Sequence, residues 1–413
     1  MKTPITVRYA VRSLLRHKRR TLLSVVGIGV GCAVSLFLIS FVRGAGEMMM
    51  RAAAENGNGH LRVVPSDWIA TRNRDLRLAN WRELLEKIRG FEYVETAVPH
   101  SRVEALLAMG TRTTGVTISG VDPDGEPAIN RLVRSVTEGA YLSADSSGEA
   151  VIGKAVADRL NVGIDDDLMV TASGKGGEMR GAMLRVRGLI STGSRDLDSS
   201  LCHVPLSQAA EISGYDGAAE ISILLSDHER VEEAKSRIAL LLAEGQDVVL
   251  WSDIVPELAA GVEVDETWTN LSVGVVLVVV FLGIASAQLA AVLERRREFA
   301  VLSALGMKGW RLVTVMLAES FALGLAGTLV ALGLGVPAVY WISVNGIDFS
   351  NLYRDMDLAV SDVLVDPVIY GDFGFWLVPL AAGLSFVATL LSSLYPAFYA
   401  RSVDPAEALR VEG

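Results

Sequence analysis

Four stretches of this chain carry almost no charge over the length of a bilayer, and that distribution limits what it can fold into. They are residues 21–42, 271–293, 312–344 and 375–400. At about 1.5 Å of helical rise per residue, even the shortest spans the ~30 Å hydrocarbon core of a membrane. Each is predicted to be a transmembrane helix. Composition alone would not decide the class: 51% hydrophobic residues also suit a soluble domain. The remaining polar body, roughly 200 residues, is long enough to bury a core of its own.

Charge sets the expected orientation. Residues 1–43 hold eight Lys/Arg and no Asp/Glu, whereas residues 44–269 hold 36 Asp/Glu and 22 Lys/Arg. Such a basic end beside an acidic body argues against nucleic-acid binding and for a membrane orientation signal. Arg16, Lys18, Arg19 and Arg20 put the start of the first span on the cytoplasmic side, and Arg295, Arg296, Arg297, Lys308 and Arg311 do the same for the segment between the second and third. The segment 345–374 has Arg354 as its one basic residue, which suits the opposite side. The apolar core of the first span exceeds the ~7–15 residues of a signal peptide, so an uncleaved anchor is expected. Pro337 is expected to kink or end the regular part of the third span.

The predicted layout has a cytoplasmic segment 1–20, a first transmembrane helix 21–43 and an extracytoplasmic α+β domain 44–269. A second helix 270–293, a cytoplasmic helix 294–311, a third span 312–344, a short external loop 345–374, a fourth span 375–400 and a cytoplasmic tail 401–413 follow. Small residues recur at helical spacing in the spans: Gly27 and Gly31, then Gly283, Ala287 and Ala291, then Ala381, Ser385, Thr389, Ser393 and Ala397. These faces let helices approach closely, within one chain or at a dimer seam. Glu319 stands about 10 Å into the third span. An intramembrane carboxylate is a functional candidate, but without a second ionisable group in the spans it is expected to fix helix packing rather than relay protons.

Within the polar body, residues 60–64, 103–108, 116–121, 168–172, 184–189 and 221–225 have the β-branched alternation of strands. Residues 81–88, 154–160 and 230–242 read as helices, and the glycine-rich segment 173–181 as a hairpin tip. The run 148–155, GEAVIGKA, nearly matches a phosphate-binding loop. Ala155 lacks the hydroxyl that ligates magnesium, so the run reads as a strand turning into a helix. His60, His100, His203 and His228 lack metal-ligand spacing and are expected to be core or surface residues. Cys32 and Cys202 lie in different regions, and no disulfide is expected.

The run ERRREFAVLSALGMK at 294–308 resembles the hallmark of the FtsX/MacB/LolC-LolE permeases of ABC transporters, which sits between the second and third spans. Tyr395, Pro396 and Ala397, followed by DPAEALR at 404–410, resemble the family's terminal signature, and Leu317, Ala318, Glu319 and Ser320 with Gly324 and Gly327 fit its third span. GHLRV at 59–63, GVDP at 120–123, VIG at 151–153, ADRL at 157–160, WSD at 251–253 and GIDFS at 346–350 are most similar to the lipoprotein-releasing LolC/LolE branch.

The resemblance implies a multi-pass inner-membrane protein with its large domain in the periplasm. It would be a non-catalytic permease subunit whose cofactors, ATP and magnesium, are bound by a separate cytoplasmic ATPase dimer. A second permease chain, identical or homologous, membrane lipid and a periplasmic lipoprotein carrier or adaptor are the other implied partners. Phe299, Leu302 and Leu305 share one face of an amphipathic helix that Gly306 can cap. Arg296, Arg297, Glu298, Leu302, Leu305, Gly306, Met307 and Lys308 are the expected ATPase-coupling residues. Phe41, Met48, Met49, Met50 and Leu271, near the outer ends of the first two spans, are the expected substrate contacts, since methionine adapts to variable acyl chains. Lipoprotein release is the leading function. Its rivals are MacB-like export of a peptide, toxin or drug, FtsX-like signalling to a cell-wall hydrolase, and a membrane-bound enzyme or receptor.

Overall fold

A computed structural model describes residues 18–401 other than 72, 74, 228–229, 295–300, 302–308, 351–358 and 361–362. In chain order the main elements are α1 (Lys18–Glu55), β1 (Leu61–Pro65), α2 (Trp81–Arg89), β2 (Val94–Met109), β3 (Arg112–Val121), β4 (Val136–Gly139), β5 (Glu149–Gly153), α3 (Lys154–Leu160), β6 (Asp167–Ser173) and β7 (Met179–Ile190). Then come β8 (Leu201–Pro205), α4 (Leu206–Ser213), β9 (Glu220–Leu225), α5 (Val231–Ala239), β10 (Gln246–Leu250), α6 (Pro256–Glu294), α7 (Gly309–Asn345) and α8 (Leu377–Arg401). Contacts divide the chain into a mixed unit, 46–262 with 348–368, and a helical unit formed by the rest.

The helical unit draws on the four helices that are long and apolar enough to cross a membrane. The 38 residues of α1 rise about 57 Å, well beyond one hydrocarbon core. Pro337 does not end the third span: α7 runs through it to Asn345. A proline in a membrane helix is tolerated because neighbouring groups satisfy the carbonyl it frees. Ile28 and Cys32 of α1 bury with Ile284 of α6, Leu323 and Ala331 of α7 and Ala388 of α8. The rings of Phe321 and Phe386 stack 5.0 Å apart between α7 and α8.

The mixed unit is one hydrogen-bonded sheet of ten strands in the order β10-β1-β9-β2-β3-β8-β5-β7-β4, with β6 joined to β2 and β7. Two cores form on it. Leu84, Leu85 and Ile88 recur on one face of α2 and pack with α5 against β1 and β9, through Leu61, Val63, Ile221 and Ile223. Full burial of such a side chain stabilises by about 1.5–3 kcal/mol. The second core places Val156, Ala157 and Leu160 of α3 and Ala209 and Ile212 of α4 against the inward residues of β2, β3, β5, β6, β7 and β8.

The strand β2 joins these halves by changing partners. Its first part pairs with β9 as far as His100 opposite Glu220, and from Ser101 opposite Gly120 it pairs with β3. Gly59, just before β1, has φ +72°, and a Cβ there would lie 2.5 Å from the Ile223 carbonyl oxygen. Only glycine meets both demands. β6 and β7 form the expected hairpin, with Ser173 opposite Met179. The strand-to-helix reading of 148–155 also holds: β5 leads directly into α3, and Lys154 pairs with Glu138 at 2.7 Å.

Part of the expected loop 345–374 is packed into the mixed unit. Val363 is buried with Ala52, Ala53, Val255 and Leu258. Arg131 bonds Asp366 at 2.8 Å and donates to the Leu364 carbonyl.

Candidate functional site

The expected coupling residues Arg296, Arg297, Glu298, Leu302, Leu305, Gly306, Met307 and Lys308 lie outside the described residues. Glu319 is buried on α7. The adjacent Ser320 hydroxyl accepts a hydrogen bond from Gln288 of α6 at 3.2 Å and donates to the Met316 carbonyl. Polar side chains shared between helices in this way hold a bundle together in lipid.

The expected substrate contacts fall in both units. Phe41 and Leu271 belong to the helical unit, Phe41 half-buried and Leu271 exposed, whereas Met48, Met49 and Met50 are half-buried in the mixed unit. Met49 packs on the cluster of Ala52, Ala53, Val255 and Leu258.

The small-residue faces differ in use. Ala381, Ser385, Thr389 and Ser393 are fully buried within this one chain, as is Ala397, and Ser385 donates to the Cys32 sulfur at 3.4 Å. A Cβ on Gly31 would lie 2.3 Å from Val280 Cγ2, whereas Gly27 and Gly283 have nothing within 4 Å.

The mixed unit holds a polar cluster that reading the sequence missed. Register builds it. Arg102 of β2 stands opposite Ser119 of β3, and Ser119 opposite His203 of β8, so the three share one face of the sheet. His100, two residues before Arg102, points to that face as well. Its Nε2 lies 2.6 Å from Glu126 Oε2, and its Nδ1 lies 3.1 Å from the Ser222 hydroxyl. Glu126 accepts from Asn130 at 2.7 Å. Arg62 of β1 bonds Glu220 at 2.9 Å and also donates to Asn58, which Arg102 reaches at 3.2 Å. The Tyr141 hydroxyl sits 2.9 Å from His203 Nδ1.

Over this face lies a cavity of about 540 Å³. Its wall includes Asn56 and Asn58 just after α1, Glu126 and Asn130, and Ile254, Val255 and Glu257 at the start of α6. That volume lies in the range of small-molecule sites.

Burial and charge oppose one another here. Burial raises the Glu220 carboxyl, but Arg62, Arg102 and His100 outweigh it and hold its pKa at about 2. Burial likewise raises Glu126, and His100 with His203 and Asn130 brings it below its ordinary value. Burial depresses His203 to about 4, against the pull of Glu126, so its ring is neutral at pH 7. Burial also lifts the Cys202 thiol to about 12 and Tyr141 well above its ordinary value. Cys202 is therefore unreactive packing. Among the described residues no group of three or more His, Cys, Asp or Glu is placed to hold a metal ion. What the arrangement can do chemically is hold the strands in register and present hydrogen-bonding groups to the cavity.

Residues 21–241 match the MacB-like periplasmic core domain, and residues 270–405 match the FtsX-like permease C-terminal domain. The chain is 23% identical to the lipoprotein-releasing system transmembrane protein LolC of Xylella fastidiosa, over the whole of both chains. It is 24% identical to the uncharacterized ABC transporter permease YknZ of Bacillus subtilis, over 98% of each. It is 25% identical to the macrolide export ATP-binding/permease protein MacB of Hyphomonas neptunium, over 89% of this chain and 58% of that one.

Proposed function

This chain belongs to the ABC transporter permeases that combine a MacB-like periplasmic core domain with an FtsX-like C-terminal domain, and from that premise we propose that it releases lipoproteins from the inner membrane. In this reading a separate cytoplasmic ATPase dimer binds ATP and magnesium, and this chain converts their turnover into movement of the mixed unit in the periplasm. The helix at 294–308 receives the push. A second permease chain, identical or homologous, completes a pair facing the ATPase dimer. Phe41, Met48, Met49, Met50 and Leu271 line the route of the lipid anchor.

The observation that carries this reading is the end-to-end similarity to a lipoprotein-releasing LolC, which leaves no part of either chain outside the match. The MacB similarity covers just over half of that exporter, and it supports MacB-like export of a peptide, toxin or drug as the second reading.

The test is reconstitution in liposomes with the cognate ATPase. Photo-crosslinkers at Phe41, Met48 and Leu271 are expected to capture a lipid-modified protein at rest and to lose it when ATP is added. Crosslinks to bulk phospholipid alone, unchanged by ATP, remove the lipoprotein route and leave export or signalling in front.

A further inference from the structure

Exposed rings gather at one end of the helical unit. Tyr340 and Trp341 near the end of α7, and Tyr370 and Phe373 between α7 and α8, are all exposed, and Tyr340 meets Phe373 edge to face at 5.5 Å. Tyrosine and tryptophan collect at the ends of spans because their rings suit the boundary between lipid and water. The same end is where α1 leaves the helical unit, after Ala45. In the proposed orientation it meets the outer leaflet.

Two opposite charges stand at this level. Arg43 of α1 lies over the Trp376 ring at 4.4 Å, and its Nη1 is 3.9 Å from Asp372 Oδ2. A charge-assisted hydrogen bond closes to about 2.7–2.9 Å, so the pair is open. The side chains are 53% and 31% exposed, and neither makes a shorter polar contact among the described residues. The backbone beneath them is fixed. The Ser40 hydroxyl donates to the Asp372 carbonyl at 2.8 Å, and the Ser40 carbonyl accepts from the Asp372 N–H at 3.0 Å. Gly44 packs so close to the Tyr370 carbonyl that a Cβ would not fit between them. A guanidinium and a carboxylate are thus held side by side, each with hydrogen-bonding capacity to spare.

We propose that Arg43 and Asp372 bind the headgroup of a zwitterionic phospholipid, with the chemistry of phosphatidylethanolamine. Its phosphate accepts from the Arg43 guanidinium, and its ammonium, a two-carbon bridge away, donates to the Asp372 carboxylate. Phe375 and Val378, exposed at the start of α8, offer apolar surface to the acyl chains. A purely anionic headgroup would suit Arg43 but set its charge beside Asp372, and like charges so close repel. Free phosphate has the same fault and lacks the chains. The inference rests on the transmembrane reading of the helical unit and not on the identity of the transported substrate.

The test uses the full-length chain, delipidated in detergent, with lipid retention counted by native mass spectrometry. The probes are dioleoyl-phosphatidylethanolamine, dioleoyl-phosphatidylglycerol and soluble phosphoethanolamine. The wild type is expected to retain the ethanolamine lipid over the glycerol lipid by about fivefold, the scale of one exposed ion pair. Arg43→Gln should lower retention of both lipids. Asp372→Asn should lower the first and raise the second, abolishing the preference. It keeps the backbone bonds to Ser40, so it decides the matter if Arg43→Gln fails to fold. Equal retention of the two lipids by the wild type, or a preference that survives Asp372→Asn, overturns the proposal. So does displacement of the lipid by equimolar phosphoethanolamine, which would mark a site for a soluble headgroup. No ATPase or lipoprotein is present, so either result leaves the lipoprotein reading to its own crosslinking test.

Discussion

The Nη1 atom of Arg62 lies 2.9 Å from Oε2 of Glu220, with the arginine side chain wholly closed off from solvent and the glutamate nearly so. Buried pairs of this kind are weak contributors as pairs but costly to break, because the surviving charge is left desolvated. Arg102, 3.5 Å from the other carboxylate oxygen, is partly exposed and compensates only in part. Arg62→Met is expected to destabilise the mixed unit by about 3–5 kcal/mol. The double variant Arg62→Met with Glu220→Met should recover most of that loss. Thermal melting of the detergent-solubilised chain, followed by tryptophan fluorescence, measures both. A double variant no more stable than Arg62→Met would show that the arginine acts through something other than this pair.

His203 gives the mixed unit an acid sensitivity of definite sign. Its folded pKa, about 4, lies below the ordinary 6.5 because burial disfavours the charged ring. The unfolded chain therefore binds a proton that the folded one refuses. The neutral ring costs nothing above pH 6.5, and stability falls as pH drops from 6.5 through 4, by on the order of 3 kcal/mol in all. Glu220 adds a separate loss from its ordinary value downward through about 2, as its ion pairs are protonated away. His203→Gln keeps a hydrogen-bonding side chain without the titration. It should flatten the melting temperature between pH 6.5 and 4 and leave the steeper loss at lower pH. An unchanged profile in that upper window would rule out His203 as its source.

Much of the architecture is legible from periodicity, because both environments impose one. Lipid demands long uncharged runs, and a half-buried sheet demands alternation such as that of β6, where Leu168, Val170 and Ala172 face in. β8 (LCHVP), with all five residues buried, and β10 (QDVVL), where Val249 alone is buried, are short and lack β-branched alternation, and both escape notice. The packing of Val363 and Asp366 on the mixed unit is also invisible, since a contact made across more than 200 residues of sequence leaves no local pattern. The polar cluster stays hidden for the same reason. His100, Glu126 and His203 are scattered in the chain: strand register brings the two histidines to one face, and the helical turn Glu126–Ile129 brings the carboxylate to them. Arg62 sits in an alternating strand as any exposed arginine would, and nothing in its neighbours announces that Glu220 will cover it.

Helix packing in the membrane yields a paired comparison. Gly27 and Gly31 are equivalent in sequence, yet a Cβ at Gly31 meets Val280 Cγ2 at 2.3 Å and one at Gly27 meets nothing within 4 Å. Gly31→Val should therefore overpack the contact between α1 and α6, at a cost of about 1–3 kcal/mol. Gly27→Val changes the same intrinsic helix propensity and should be near neutral. Val280→Ala in the Gly31→Val background should restore part of the loss. The fraction of chain remaining monodisperse after heating in detergent ranks the four proteins. Equal behaviour of the two single variants would mean that Gly31 does not sit at a close helix crossing.

The expected coupling helix gives the final test, which rests on spacing alone because residues 295–300 and 302–308 lie outside the described ones. Phe299, Leu302 and Leu305 recur every three residues, so a helix over 294–305 presents them as one apolar stripe with Arg295, Arg296, Arg297 and Glu298 elsewhere. If that stripe seats in the ATPase, Leu302→Asp with Leu305→Asp places two carboxylates in an apolar contact and breaks it. Glu298→Lys inverts a charge beside the stripe and should weaken the contact without abolishing it. Both variants should keep the mixed unit folded, with its melting temperature unchanged, because the changes lie in a different unit of the chain. Copurification with the ATPase and substrate-stimulated ATP turnover should fall in the order wild type, Glu298→Lys, double aspartate. A stripe that merely lies on lipid predicts something else: the double variant would lose membrane association of the helix, yet copurification and stimulated turnover would both survive. That outcome would move the ATPase contact away from residues 294–308.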